Sequence, residues 1–124
     1  MKKILPVLAV LGVLTALLFG SVTTAQAAST GGRDQAVRKA HEYLQFQSFS
    51  LKGLAAQLKF EGFSTSDATY GAGHSGANWM KQAAAKAKEY LRMSAFSRSG
   101  LIQQLKFEGF TSSQAAYGVQ KAGL

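Results

Sequence analysis

Apolar side chains recur at helical spacing through most of residues 34–122, and the pattern they make occurs twice. From about Asp34 to Phe46, Ala36, Ala40, Tyr43 and Leu44 fall on one face, while Arg38, Lys39 and Glu42 lie largely off it. This predicts an amphipathic helix with Asp34 as its N-cap. A matching stripe of Trp79, Ala83, Ala87, Tyr90 and Leu91 predicts a helix from about Asn78 to Ala95. A second helix is expected after Ser50 and again after Ser97, both good N-caps. It should stop at Gly62 and Gly109, with Phe63 and Phe110 folding back onto the last turn as in a Schellman motif. Leu51, Leu54 and Leu58 make its apolar face in the first case, and Leu101, Ile102 and Leu105 in the second. A third, shorter helix opens at Ser64 and at Thr111, where Thr111-x-x-Gln114 fits a capping box. Ala68 and Tyr70, or Ala115, Tyr117 and Val119, should close it over the second helix.

The doubling is literal in places. The string QLKFEGF runs from Gln57 to Phe63 and again from Gln104 to Phe110, and sliding Gln35–Gly71 onto Gln82–Gly118 gives 22 identities in 37 gapless positions. A fixed offset of 47 residues makes two copies of one supersecondary unit the central structural expectation. The fold class is therefore all-α, with two tandem three-helix, helix-turn-helix-like repeats at residues 34–72 and 78–122. Between them Gly71-Ala72-Gly73-His74-Ser75-Gly76 reads as a flexible stretch, with the linker at 73–77.

The N-terminus has a different character. Met1-Lys2-Lys3 is a basic n-region, Ile4 to Phe19 is almost wholly apolar, and Ala25-Gln26-Ala27 is a small-residue cleavage pattern. Residues 1–27 thus read as a secretory signal peptide cut near Ala27, followed by a flexible segment over 28–33. The rival reading, an uncleaved anchor, fits less well, because the apolar run is marginal for a span and ends in a cleavage pattern. Removing Lys2 and Lys3 lowers the net charge from +8 to about +6, so the basic surplus belongs to the domain itself. Such a surface is drawn to teichoic acids, anionic lipid, acidic protein surfaces or stray nucleic acid, and charge does not choose between them. With no cysteine in the chain, disulfides, thiolate metal sites and a lipid anchor on cysteine drop out.

Nothing assembles into catalytic chemistry. The carboxylates include two repeat-equivalent pairs, Glu42 with Glu89 and Glu61 with Glu108, and no histidine joins them in a motif. His41 corresponds to Lys88, and His74 sits in the linker. No cofactor, metal site or enzyme is expected. Sequence-specific DNA recognition is disfavoured too, since the third helix carries no arginine for base edges and the leader exports the domain. Two surface candidates remain. Lys81, Lys88 and Arg92 form a basic stripe suited to an anionic polymer, against the plainer reading of a solvated helix face.

The other candidate lies at the end of the second helix. Phe60 and Phe107 project away from the leucine face, with Gly53 and Gly100 on the same side. The expectation is a central helix buried on two sides, its glycines admitting a neighbouring backbone. The functional alternative is an aromatic groove presented to a partner protein. Glu61 and Glu108 meet the negative end of the helix dipole, so a lysine such as Lys59 or Lys106, or the amides opening the third helix, should offset them. Lys59, Phe60, Glu61, Lys106, Phe107 and Glu108 are the candidate partner-binding residues, and their duplication suggests a bivalent grip.

The residues from Ala87 to Val119, AKEYLRMSAFSRSGLIQQLKFEGFTSSQAAYGV, resemble the repeat of the host cell surface-exposed lipoprotein (Ltp) family, and His41–Ala72 is similar to a second, divergent copy. The resemblance implies small helical tandem repeats displayed outside the bacterial membrane, some of them phage-encoded. It also implies superinfection exclusion, in which entry of a second phage's DNA is stopped by engaging the incoming tape-measure protein. Members of that family are tethered through a cysteine, which this chain lacks. The expected function is a secreted or cell-surface, non-enzymatic protein-interaction module of a bacterium or prophage. The alternative is a basic protein attached to anionic cell-wall polymer.

Overall fold

A computed structural model describes residues 30–124, and the signal peptide and cleavage site expected over 1–27 lie outside the described residues. Six helices and no strand make up the described part: α1 (Thr30–Phe46), α2 (Leu51–Phe60), α3 (Thr65–Gly73), α4 (Trp79–Met93), α5 (Arg98–Phe107) and α6 (Ser112–Lys121). Helices α1–α3 form one repeat and α4–α6 the other.

Local signals set most boundaries. Ser50 and Ser97 cap α2 and α5, their hydroxyls accepting from Gly53 N at 2.8 Å and Gly100 N at 2.9 Å. Gly62 and Gly109 sit at φ +110° and +109°. Phe63 N donates to Leu58 O and Phe110 N to Leu105 O, both at 3.1 Å, completing the Schellman motif in each copy. Thr111 and Gln114 form the reciprocal capping box expected of them. Asp34 does not cap α1, because the helix already begins at Thr30, and residues 30–33, expected to be flexible, are helical.

Each repeat has its own core. Ala36, Ala40, Phe49, Leu54, Leu58, Ala68 and Ala72 make the first. Ala83, Ala87, Tyr90, Leu101, Leu105, Phe110, Ala115 and Val119 make the second. Each fully buried leucine contributes about 1.5–3 kcal/mol over its exposed state. The hub of each repeat is its third helix, on which the other two pack, rather than the second. Glycine makes this possible: a Cβ on Gly71 would lie 2.6–2.8 Å from Ala36, and one on Gly118 2.6–2.8 Å from Ala83, backbone atoms included. The tightest backbone approaches are therefore at Gly71 and Gly118; of the two glycines where one was expected, Gly53 has the Glu108 carbonyl in ordinary contact, 3.6 Å from an added Cβ, and Gly100 has no backbone neighbour within 4 Å. At Gly53 and Gly100 an added Cβ would instead crowd the capping oxygens of Ser50 and Ser97, at 3.0 and 2.9 Å.

Helix α3 runs through Gly73, so two of the three glycines between the copies are helical. Gly76 turns at φ +78°, and Ser75 is buried with its hydroxyl donating to Ala72 O at 2.8 Å. A polar joint links the repeats. Residues 48–50, which follow α1, donate three hydrogen bonds to the second repeat: Ser48 Oγ to Glu89 Oε2 at 2.6 Å, Phe49 N to Gln82 Oε1 at 2.9 Å, and Ser50 Oγ to Glu108 O at 2.6 Å. Trp79, the first residue of α4, packs on the core of the first repeat.

Candidate functional site

The duplicated segment at the end of α2 and α5 sorts into buried and presented residues. Leu58 and Leu105 are fully buried, as their periodicity requires. Phe60 and Phe107 are 85% and 78% exposed. The expectation of a helix buried on two sides is thus overturned, since the neighbouring helices cover only the leucine side. Leu51, expected on that side, is also exposed, in line with the arginine at the equivalent position 98. Lys59 and Lys106, which precede them in the chain, are exposed as well.

Glu61 and Glu108 have internal partners, and these are not the lysines. The Tyr43 hydroxyl donates to Glu61 and accepts from Gln57 Nε2 at 3.1 Å. The Tyr90 hydroxyl donates to Glu108 and accepts from Gln104 Nε2 at 3.1 Å. A tyrosine from the first helix of each repeat thus reaches the carboxylate at the end of the second and ties the two helix ends together. Burial, followed by the bond to Glu61, pushes the Tyr43 hydroxyl up to about 12. Burial also raises Glu108, with Lys86 opposing the shift and Glu89 adding to it. Both glutamates are thus held by the first helix of their own repeat.

Two more exposed apolar residues accompany them. Phe46 ends α1 at 82% exposure, and Met93, 47 positions later, ends α4 at 73%. Sequence reasoning left both unassigned, although an apolar residue at the same register in both copies was visible. Each repeat therefore presents two large apolar side chains at the helix ends that its tyrosine joins. Single exposed apolar residues are ordinary, whereas here a pair recurs at one fixed offset in the two copies.

Lys81, Lys88 and Arg92 are all exposed along α4. The ion pairs among the described residues, Lys39–Glu42 at 2.8 Å and Lys86–Glu89 at 3.1 Å, include none of the three. His41 is exposed on α1, and His74 stacks on Tyr70 at 3.8 Å between ring centroids. Among the described residues no group of three or more His, Cys, Asp or Glu is placed to hold a metal ion. No helix of the described residues is long and apolar enough to cross a membrane.

Comparison with known proteins places this geometry. No curated protein matches the chain. One solved structure, described as that of Ltp, a superinfection exclusion protein from the Streptococcus thermophilus temperate phage TP-J34, is 32% identical, with a TM-score of 0.69 over 78% of this chain and 99% of that one. The family model for the host cell surface-exposed lipoprotein matches twice in tandem, at residues 33–74 and 78–121, once for each three-helix unit. With both units matched over most of its length, the chain belongs to the host cell surface-exposed lipoprotein (Ltp) family.

Proposed function

We propose that this protein is a non-enzymatic protein-binding module that acts at the cell surface in superinfection exclusion, gripping an extended partner through both repeats. The observation that carries this reading is the exposure of Phe60 and Phe107 at one register in the two copies. Lys59 and Lys106 precede them in the chain, while Glu61 and Glu108 hold the helix ends that present them. Two anchors of this kind on one chain raise apparent affinity through effective concentration, without new contacts. An incoming tape-measure protein, the partner that the family resemblance implies, is the extended chain we assign to this grip. The protein would act after export, with residues 1–27 as its leader.

The test is entry of phage DNA into a sensitive host that expresses the chain. Entry should fall, and the Phe60→Ser/Phe107→Ser double variant should restore it at equal surface abundance. Unimpaired entry with the unaltered protein well displayed would refute exclusion.

A second reading has its own observation. Lys81, Lys88 and Arg92 are exposed and take part in neither ion pair. They suit an anionic wall polymer, and retention on purified walls would then fall steeply with salt. Retention that ignores salt would count against it.

A further inference from the structure

The joint between the repeats uses only half of what the sequence duplicates. In the first repeat the segment Ser48-Phe49-Ser50 is the donor. In the second repeat Gln82, Glu89 and the carbonyl of Glu108 are the acceptors, and Gly109 lets the donor come close: a Cβ there would lie 2.7 Å from Ser50 Oγ and 2.9 Å from Lys52 Cβ. The 47-residue offset gives the second repeat its own donor, Ala95-Phe96-Ser97, and the first repeat its own acceptor, Gln35, Glu42, Glu61 and Gly62.

These duplicates are unoccupied. Ser48, Phe49 and Ser50 are buried, whereas Ala95 and Ser97 are exposed and Phe96 is half-buried. Gln82, Glu89, Glu108 and Gly109 are partly covered, whereas Gln35, Glu42, Glu61 and Gly62 are exposed. Nothing lies within 4 Å of where a Cβ on Gly62 would stand. The ion pair behind the acceptor is already built, since Lys39–Glu42 matches Lys86–Glu89.

We propose that a second copy of this chain docks head to tail, its Ala95-Phe96-Ser97 segment seated on the Gln35, Glu42, Glu61 and Gly62 face of the first. Phe96 N then donates to Gln35 Oε1, and Ser97 Oγ to the carbonyl of Glu61, as Phe49 and Ser50 do within the chain. The two faces differ and lie on different repeats, so the contact is heterologous and joins chains head to tail. Two internal contacts have no counterpart. Ala95 stands where Ser48 donates to Glu89, and Gly32 stands where Trp79 packs on the neighbouring core. The contact also lacks the covalent tether, so it is weaker than the internal joint and concentration-dependent.

Sedimentation velocity tests this on the full-length gene product made in a secreting bacterial host, over a concentration series reaching about 1 mM, where even weak specific contacts are populated. The weight-average mass should rise with concentration. Gln35→Lys, which blocks the acceptor, and Ala95→Glu, which sets a carboxylate against Glu42, should each stay monomeric, and both should stay folded because the positions are exposed. Mixed together, they should form one-to-one heterodimers, since each keeps the face the other has lost. Ala95→Ser should tighten association about tenfold by restoring a bond to a carboxylate. A mass that stays monomeric throughout, or self-association that survives both blocking substitutions, would overturn the proposal. The blocking positions avoid Phe60 and Phe107, so failure here leaves the partner-binding reading standing, and failure there leaves this one.

Discussion

Removing the hydroxyl of Tyr90 should damage the fold far more than removing that of Tyr43, although the two tyrosines occupy the same position in the repeat. Each donates to a glutamate and accepts from a glutamine. The difference is solvent. Tyr90 and Gln104 are buried and Glu108 is partly covered by the donor segment of the other repeat, whereas Tyr43 and Gln57 are only partly covered and Glu61 is exposed. Tyr90→Phe therefore loses about 1.5–3 kcal/mol for the bond to the carboxylate and about 0.5–1.5 kcal/mol for the bond from Gln104, with no water able to replace them fully. A total near 3 kcal/mol is expected. Tyr43→Phe, whose partners can turn to water, should cost about 1 kcal/mol or less.

With a urea slope of about 1.5 kcal/mol per molar, the Tyr90 variant should lose about 2 M in unfolding midpoint, with the slope itself unchanged. The effect should depend on pH. Burial raises Glu108 above the ordinary 4.5, so the folded state holds its proton more tightly than the unfolded chain does. The stabilisation from this group is full below about 4.5 and is lost as pH rises through the raised folded value. Without the tyrosine donor the carboxylate is harder to keep charged, so Tyr90→Phe should steepen that decline. Equal losses in Tyr43→Phe and Tyr90→Phe, or a loss below about 0.5 kcal/mol in the latter, would refute the reasoning.

Gly71→Ala should lower the melting temperature by several degrees, because its Cβ would enter the Ala36 backbone, and overpacking costs about 1–3 kcal/mol. Gly73→Ala, two residues on in the same helix and open on every side, should instead stabilise by about 0.5 kcal/mol, so opposite signs in thermal melts are the check. Spectrophotometric titration should find Tyr43 ionising near pH 12, and Glu61→Gln should bring it down only in part, since burial is the larger cause. Any stability that Tyr43 contributes through this shift is present below about 10 and lost as pH climbs through 12.

Where the sequence spoke clearly, it did so through side chains that satisfy their own backbone. Ser50, Ser97, Ser64 and Thr111 had to cap something, and Gly62 and Gly109 had to end it, because those bonds close within a few residues. The duplicated string carried the fold class, and its match to a known repeat carried the family. The expectation at Phe60 and Phe107 failed for a physical reason: helical spacing tells which residues share a face, not whether a neighbouring helix covers that face. Gly71 reads locally as a loosening residue, yet its twin Gly118 sits well inside a helix, and that agreement is the sign of a packing contact that the sequence offers. The joint bonds span 33, 41 and 58 residues, beyond the reach of any local pattern. The tyrosine partners of Glu61 and Glu108 lie 18 residues away and were likewise hidden.

Ser50 gives the molecule its unit of cooperativity. Its single hydroxyl accepts from Gly53 N to start α2 and donates to the Glu108 carbonyl where α5 ends, so one atom belongs to the nucleation of one repeat and the termination of the other. In a one-dimensional array, such a shared atom acts as a nearest-neighbour coupling. Fraying at the end of α5 would take away the acceptor of the Ser50 hydroxyl, and loss of the α2 cap would take away a donor from the Glu108 carbonyl. Two units that could each melt alone are thereby drawn toward a single transition, and a pull on either end of the array loads both repeats at once.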